Sequence, residues 1–207
     1  MKKMLVVIVL AALTSLSIAH ADDVPTKGDP AKAQQLATSV CSACHGADGN
    51  STSPDKPNLA GQHAEYITKQ LMDFKSGRRV NAIMNGMAAG LSDGDMKNLG
   101  AYFAEQTPKL GAVKDKLLAD AGEKIYKAGD ALSGVPACAA CHGPAGAGIP
   151  VQFPRLAGQH SLYVYTQLNA FRMGQRANDG GKMMETIAEK LTDQQMKEVA
   201  EYVSGLQ

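Results

Sequence analysis

The chain has no tryptophan, and aromatic residues of any kind make up only 5% of its 207 positions. A core assembled from large aromatic side chains is therefore excluded. Surplus charge is missing too: 21 lysines and arginines stand against 20 acidic residues, a formal net charge of +1. Nucleic-acid binding usually shows as a basic patch, so that class gains no support. No convincing alternation of apolar and polar residues marks a strand, which leaves an all-α architecture. Beyond the N-terminal region, no apolar stretch approaches the roughly 20 residues of a membrane-spanning helix. Cysteine is scarce as well. There are four, and their placement is the most informative feature of the sequence.

Cys41-Ser42-Ala43-Cys44-His45 recurs 97 residues later as Cys138-Ala139-Ala140-Cys141-His142, and the two copies use every cysteine in the chain. C-x-x-C-H is the haem-attachment pattern. Two thiols about one helical turn apart can each add to a vinyl group on one porphyrin edge. The adjacent histidine is then held under the iron as its proximal ligand. A four-thiolate zinc site would set its cysteine pairs about 15–20 residues apart, far closer than here. Structural disulfides would not require a histidine at the same place twice. The sequence thus predicts two covalently bound haem c groups, held by Cys41 and Cys44 with His45, and by Cys138 and Cys141 with His142. A porphyrin filling each core also suits the shortage of aromatic residues.

Residues 1–21 read as a secretion signal. Lys2 and Lys3 form its charged start, Met4 to Ala12 its apolar run, and Ala19-His20-Ala21 its small-x-small cleavage site. An uncleaved anchor is the alternative, but Thr14, Ser15 and Ser17 interrupt the apolar stretch. Cleavage before Asp22 would deliver the mature chain to the periplasm, where bacteria attach haem covalently. Removing Lys2 and Lys3 leaves 19 basic against 20 acidic side chains, a charge near −1.

The 97-residue offset extends past the motif. Pro57-Asn58-Leu59-Ala60-Gly61-Gln62-His63 matches Pro154-Arg155-Leu156-Ala157-Gly158-Gln159-His160, and Tyr66, Gln70, Leu71, Phe74 and Gly77 match Tyr163, Gln167, Leu168, Phe171 and Gly174. Three extra residues around Ala177 to Lys182 then shift the offset to 100, at which Leu91, Ser92, Asp93 and Met96 meet Leu191, Thr192, Asp193 and Met196. Such self-similarity implies two related domains, residues 22–107 and 116–207, joined by a linker at 108–115. Each half reads as three helices. The first follows Asp29-Pro30 or covers Lys116 to Lys127; the middle one carries Ile67, Leu71 and Phe74 or Val164, Leu168 and Phe171. The last opens on a capping box at Ser92 or Thr192.

The ligand opposite histidine decides what such an iron does. A ligand belongs in both copies, and two methionine pairs satisfy this: Met84 with Met184, and Met96 with Met196. The second pair lies on the apolar stripe of the last helix, where methionine fills core. Met84 and Met184 precede that helix in what reads as a loop able to reach across the haem, and are preferred. His63 and His160 also recur and are the rival ligands. Pro57 and Pro154 lie 12 residues beyond their histidines. A carbonyl there would accept the imidazole Nδ1 proton and fix the ring. Arg79 and Arg176 are matched bases that would either meet haem propionates or sit solvated.

C-x-x-C-H, P-x-L-A-G-Q, the Tyr66 to Phe74 helix and Met84 followed by Leu91-Ser92-Asp93 resemble class I cytochrome c domains. Their tandem arrangement behind a signal resembles the cytochrome c4 family, over essentially the whole mature chain. That resemblance implies two class I domains related by a pseudo-twofold axis, one covalent haem in each, with propionate edges near the interface. It implies His45 and Met84 at one iron and His142 and Met184 at the other, with the adjacent Met183 a second sulfur to consider. It further implies a periplasmic electron carrier, not an enzyme, working between redox proteins such as a cytochrome bc-type complex and a membrane terminal oxidase. Peripheral contact with the membrane fits this role, and nucleic acid has no part in it. An electron-acceptor subunit of a periplasmic dehydrogenase is the main alternative. A dihaem peroxidase is the lesser one, since it would need an iron able to open.

Overall fold

The computed structural model describes residues 27–207, so the expected leader at 1–21 and its cleavage point lie outside the described residues. Helix α1 (Pro30–Leu36) starts as its sequence dictates. Asp29 accepts the Ala31 amide, and Pro30 takes the first position, where a missing N–H costs nothing. The helix continues through a π-helical turn, Ala37–Cys41, into α2 (Ser42–His45). Around that turn the hydroxyls of Thr38, Ser39 and Ser42 bond back to carbonyls of the preceding turn, a competition that loosens regular helix. The first half is completed by α3 (Ala64–Lys75), α4 (Ala82–Ala89) and α5 (Asp93–Ala104).

The second half repeats the plan with α6 (Lys116–Ala128), α7 (Ala139–His142), α8 (Ser161–Arg172), α9 (Met183–Lys190) and α10 (Asp193–Gly205). Here the first helix does not run into the attachment motif. It ends at Gly129, whose φ of 72° favours glycine, and a short turn closed between Asp130 and Val135 intervenes. Both capping boxes form, with Ser92 and Asp95 on α5 and Thr192 and Gln195 on α10 satisfying each other's backbone amides. Among the described residues only isolated β-bridges occur outside helices and turns. The fold is all-α.

Each half departs from the three-helix expectation by gaining a two-turn helix, α4 or α9, ahead of the last one. Met84 and Met184 therefore stand on helices and not in loops. Asn81 explains the first: its side chain accepts the Met84 amide and caps α4. In the second half the extra residues form a 3-10 turn, Gly180–Lys182, and the Asp179 carboxylate accepts the Met184 amide.

Core packing follows the sequence stripes. Ile67, Leu99 and Phe103 join Ala33 and Ala37 in one cluster; Val164, Leu168, Met196, Val199 and Val203 join Ile125 and Tyr126 in the other. Helix α5 lies across α3, and α10 across α6. The crossings are close because glycine lines them: a Cβ on Gly100 would sit 2.4 Å from the Ala64 carbonyl oxygen, and one on Gly122 would sit 2.0 Å from that of Glu198. Between α5 and α6 the chain has no helix, and Glu201 on α10 accepts the amides of Lys114 and Asp115 there.

The halves meet about a pseudo-twofold axis. Arg79 and Arg176 face each other as an antiparallel bridge pair, each only 8% exposed. Arg79 donates to Gln70 Oε1 (2.7 Å) and, across the axis, to the Tyr163 hydroxyl (2.9 Å) and Gln167 Oε1 (2.7 Å). Arg176 donates to Gln167 Oε1 and to the Tyr66 hydroxyl, both at 2.9 Å. Beneath them lie the rings of Phe74 and Phe171, at 4.7 and 4.4 Å. The solvated reading of these arginines is thereby corrected: they are buried interdomain hubs.

Candidate haem sites

One cavity of about 790 Å³ extends across both halves. Its lining includes Cys41, Cys44, His45 and Met84 from the first half and Cys138, Cys141, His142 and Met184 from the second. The rest is mostly aliphatic and aromatic, from residues such as Leu71, Phe74, Leu168 and Phe171, as a porphyrin face requires. All four thiols are free of disulfide partners. Burial pushes the Cys138 thiol up to about 11 and raises Cys41 as well. A thioether, which carries no charge, fits such a dry wall better than a thiolate does.

Both motif histidines are buried at 7% exposure. His45 Nδ1 lies 2.9 Å from the Pro57 carbonyl oxygen, and His142 Nδ1 lies 2.9 Å from that of Pro154. Burial lowers the pKa of each imidazole below its ordinary value, and the carbonyl contact opposes that only in part. A neutral ring results. With Nδ1 donating to the carbonyl, Nε2 holds the lone pair that a metal needs.

The methionine pairs separate cleanly. Met84 and Met184 are half-buried at the cavity wall. Met96 and Met196, at 1% and 0% exposure, lie in the helical core and do not line the cavity. His63 and His160 stand at the starts of α3 and α8 and do not line it either. His160 Nε2 is engaged with the Ser51 carbonyl of the other half, at 2.9 Å. Met183 also reaches the wall but is 38% exposed, whereas Met184 packs against the core cluster.

Sequence reasoning left the polar partners of the interface without a role. Gln62, Gln159, Gln70, Gln167, Tyr66 and Tyr163 were visible only as repeated residues. The usable signal was a polar side chain recurring among buried positions of a helix or turn.

Two helical domains of one plan, each presenting C-x-x-C-H and a methionine to a shared, mostly apolar cavity, define a tandem c-type cytochrome. Comparison with known proteins agrees. The family model described as cytochrome c matches residues 30–107 and again 119–207. Cytochrome c4 of Pseudomonas aeruginosa is 44% identical over 208 residues, covering 100% of both chains. The crystal structure of reduced recombinant cytochrome c4 from Pseudomonas stutzeri superposes with a TM-score of 0.83 at 41% identity, over 87% of this chain and 100% of that one. A thiosulfate dehydrogenase electron acceptor from Stutzerimonas stutzeri is 40% identical over 173 residues, covering 82% of this chain and 80% of its own. The chain belongs to the cytochrome c family, and within it to cytochrome c4: a dihaem electron carrier with two covalent haem c groups.

Proposed function

We propose that each domain, residues 22–107 and 116–207 with 108–115 between them, holds its haem through one thiol pair, one histidine and one methionine. Cys41 and Cys44 anchor the first, with His45 and Met84 as axial ligands. Cys138 and Cys141 anchor the second, with His142 and Met184. The carbonyls of Pro57 and Pro154 hold the imidazoles in the tautomer that leaves Nε2 toward the iron. Arg79 and Arg176, which both line the cavity, supply positive charge for propionates at the interface.

Haem iron, when bound, supplies reversible one-electron chemistry, and a thioether ligand raises its potential above that of a bis-histidine site. His45 and Met84, and His142 and Met184, would hold the two irons, and the apolar side chains of the cavity wall would limit the approach of water. The reading is therefore a periplasmic carrier that passes single electrons between redox proteins, toward a terminal oxidase or from a cytochrome bc-type complex. The observation that carries this reading is that a histidine and a methionine line the cavity in both halves; with both ligating, no coordination position would be open to a substrate. The near-balanced charge suits short-lived docking with modest electrostatic steering. Stopped-flow oxidation of the reduced protein by bacterial membranes should be rapid, and peroxidase turnover negligible. Fast peroxide turnover at an iron lacking methionine would overturn the reading.

A second reading has its own support in the similarity to a thiosulfate dehydrogenase electron acceptor. There the donor would be a dehydrogenase and the chemistry at this chain unchanged. Copurification of a catalytic partner, and reduction by it faster than by a bc-type complex, would favour that role.

A further inference from the structure

Gln62 and Gln159 end the repeated P-x-L-A-G-Q segments, and both side chains are buried, at 6% and 8% exposure. Each leaves its own domain. Gln62 Nε2 donates to the Arg155 carbonyl and its Oε1 accepts the Arg155 amide, both at 2.9 Å. Gln159 does the same to Asn58, donating at 3.0 Å and accepting at 2.9 Å. The void left between the clasped segments is about 10 Å³, room for about one water.

The Arg155 amide belongs to the same peptide group as the Pro154 carbonyl, and the Asn58 amide to the same group as the Pro57 carbonyl. A peptide group is planar and turns as one body. Its oxygen is the acceptor facing the histidine, at 2.9 Å in each domain. Its N–H is held by the glutamine of the opposite domain. One rigid plane therefore joins each motif histidine to the other half of the molecule. Donation from its N–H also polarises its C=O and strengthens what the oxygen accepts.

We propose that Gln62 is the positioning residue for His142, and Gln159 for His45, so that each domain tunes the haem of the other. The proposal rests on the reading of these histidines as axial ligands. A firmer Nδ1–H···O=C bond makes the imidazole a stronger donor, which stabilises the oxidised iron and lowers its potential. Loosening the plane should raise it.

The test uses reduced holoprotein with 15N-labelled histidine. In the unsubstituted protein the ring protons of His45 and His142 should carry large haem ring-current shifts; their absence would defeat the axial reading itself. With those shifts intact, Gln62→Ala should speed solvent exchange of the His142 Nδ1 proton about tenfold. It should also raise the potential of the second domain's haem and leave His45 as it was. Gln159→Ala should give the mirror image. Gln62→Glu keeps an oxygen for the Arg155 amide and should restore most of the protection; if the alanine variant fails to fold, Gln62→Met, which keeps the bulk but offers no oxygen, should show the faster His142 exchange in its place. Tyr66→Phe removes a different bond across the interface and should leave both Nδ1 protons unchanged. Equal effects on both histidines, effects confined to the substituted domain, or the same pattern from Tyr66→Phe would overturn the proposal.

Discussion

Cysteine and histidine were legible at once because covalent chemistry ties residue type to spacing. Two thiols and an imidazole at C-x-x-C-H have few other uses, and the structure brings all six to the wall of one cavity. Methionine has no such constraint, since it fills cores as readily as it ligates. Comparing the two halves narrowed ten methionines to two pairs, and burial separates those. Substitution at this scale gives a sharp contrast. Under the proposed ligation each would remove one of two equivalent ligands, so Met84→Ala and Met184→Ala should each remove about half of the oxidised protein's sulfur-to-iron charge-transfer absorbance and lower that haem's potential. Met96→Leu and Met196→Leu should keep the band and cost under about 1.5 kcal/mol as volume-conserving swaps. Optical spectra with urea titration check both halves of the statement. Loss of the band in the Met96 or Met196 variants would reverse the ligand assignment.

Helices long enough to show a full apolar stripe were legible: α3, α5, α8 and α10 all carry the residues their periodicity picks out. The two-turn helices α4 and α9 were not. Eight residues give too few repeats of a 3.6-residue period, and the cap that starts α4 is a single asparagine. The segment between α5 and α6 also depends on a contact that no local pattern announces. Glu201 stands on α10 at 6% exposure and accepts the amides of Lys114 and Asp115. Burial raises its pKa, but those amides, together with a hydrogen bond from Ser161 and the Lys114 charge, outweigh burial and hold the carboxyl below its ordinary value. A depressed carboxylate stabilises the fold above its unfolded pKa, and that contribution fades as pH falls through the folded one. Glu201→Ala should therefore cost about 1.5–3 kcal/mol near neutrality, the worth of hydrogen bonds to a charged group. The gap from the unsubstituted protein should narrow once the pH drops below the ordinary glutamate value of 4.5. Urea titrations at pH 7 and pH 4 would measure it; a gap equal at both would mean the carboxylate charge contributes nothing.

The tandem architecture could be read from self-similarity, but the way the halves join could not. An arginine in sequence looks the same whether it is solvated or shut inside an interface, and only folding puts Arg79 and Arg176 face to face. Their guanidinium groups are tied to glutamine and tyrosine oxygens of both domains and stacked over phenylalanine. Arg79→Met would preserve much of the bulk and the ring contact but strip the Tyr163 hydroxyl of its donor across the axis, while Gln167 keeps Arg176 and Gln70 keeps Asn178. Leaving buried polar groups without a partner typically costs about 1–3 kcal/mol. Because Tyr163 and Gln167 belong to the other domain, the loss falls on the interface and not on either core. The unsubstituted holoprotein should thus melt in a single calorimetric transition, and the Arg79→Met protein in two, with visible spectra at the lower one showing both irons still held by histidine and methionine. A single transition shifted downward as a unit would mean instead that the two cores, and not their junction, depend on this arginine.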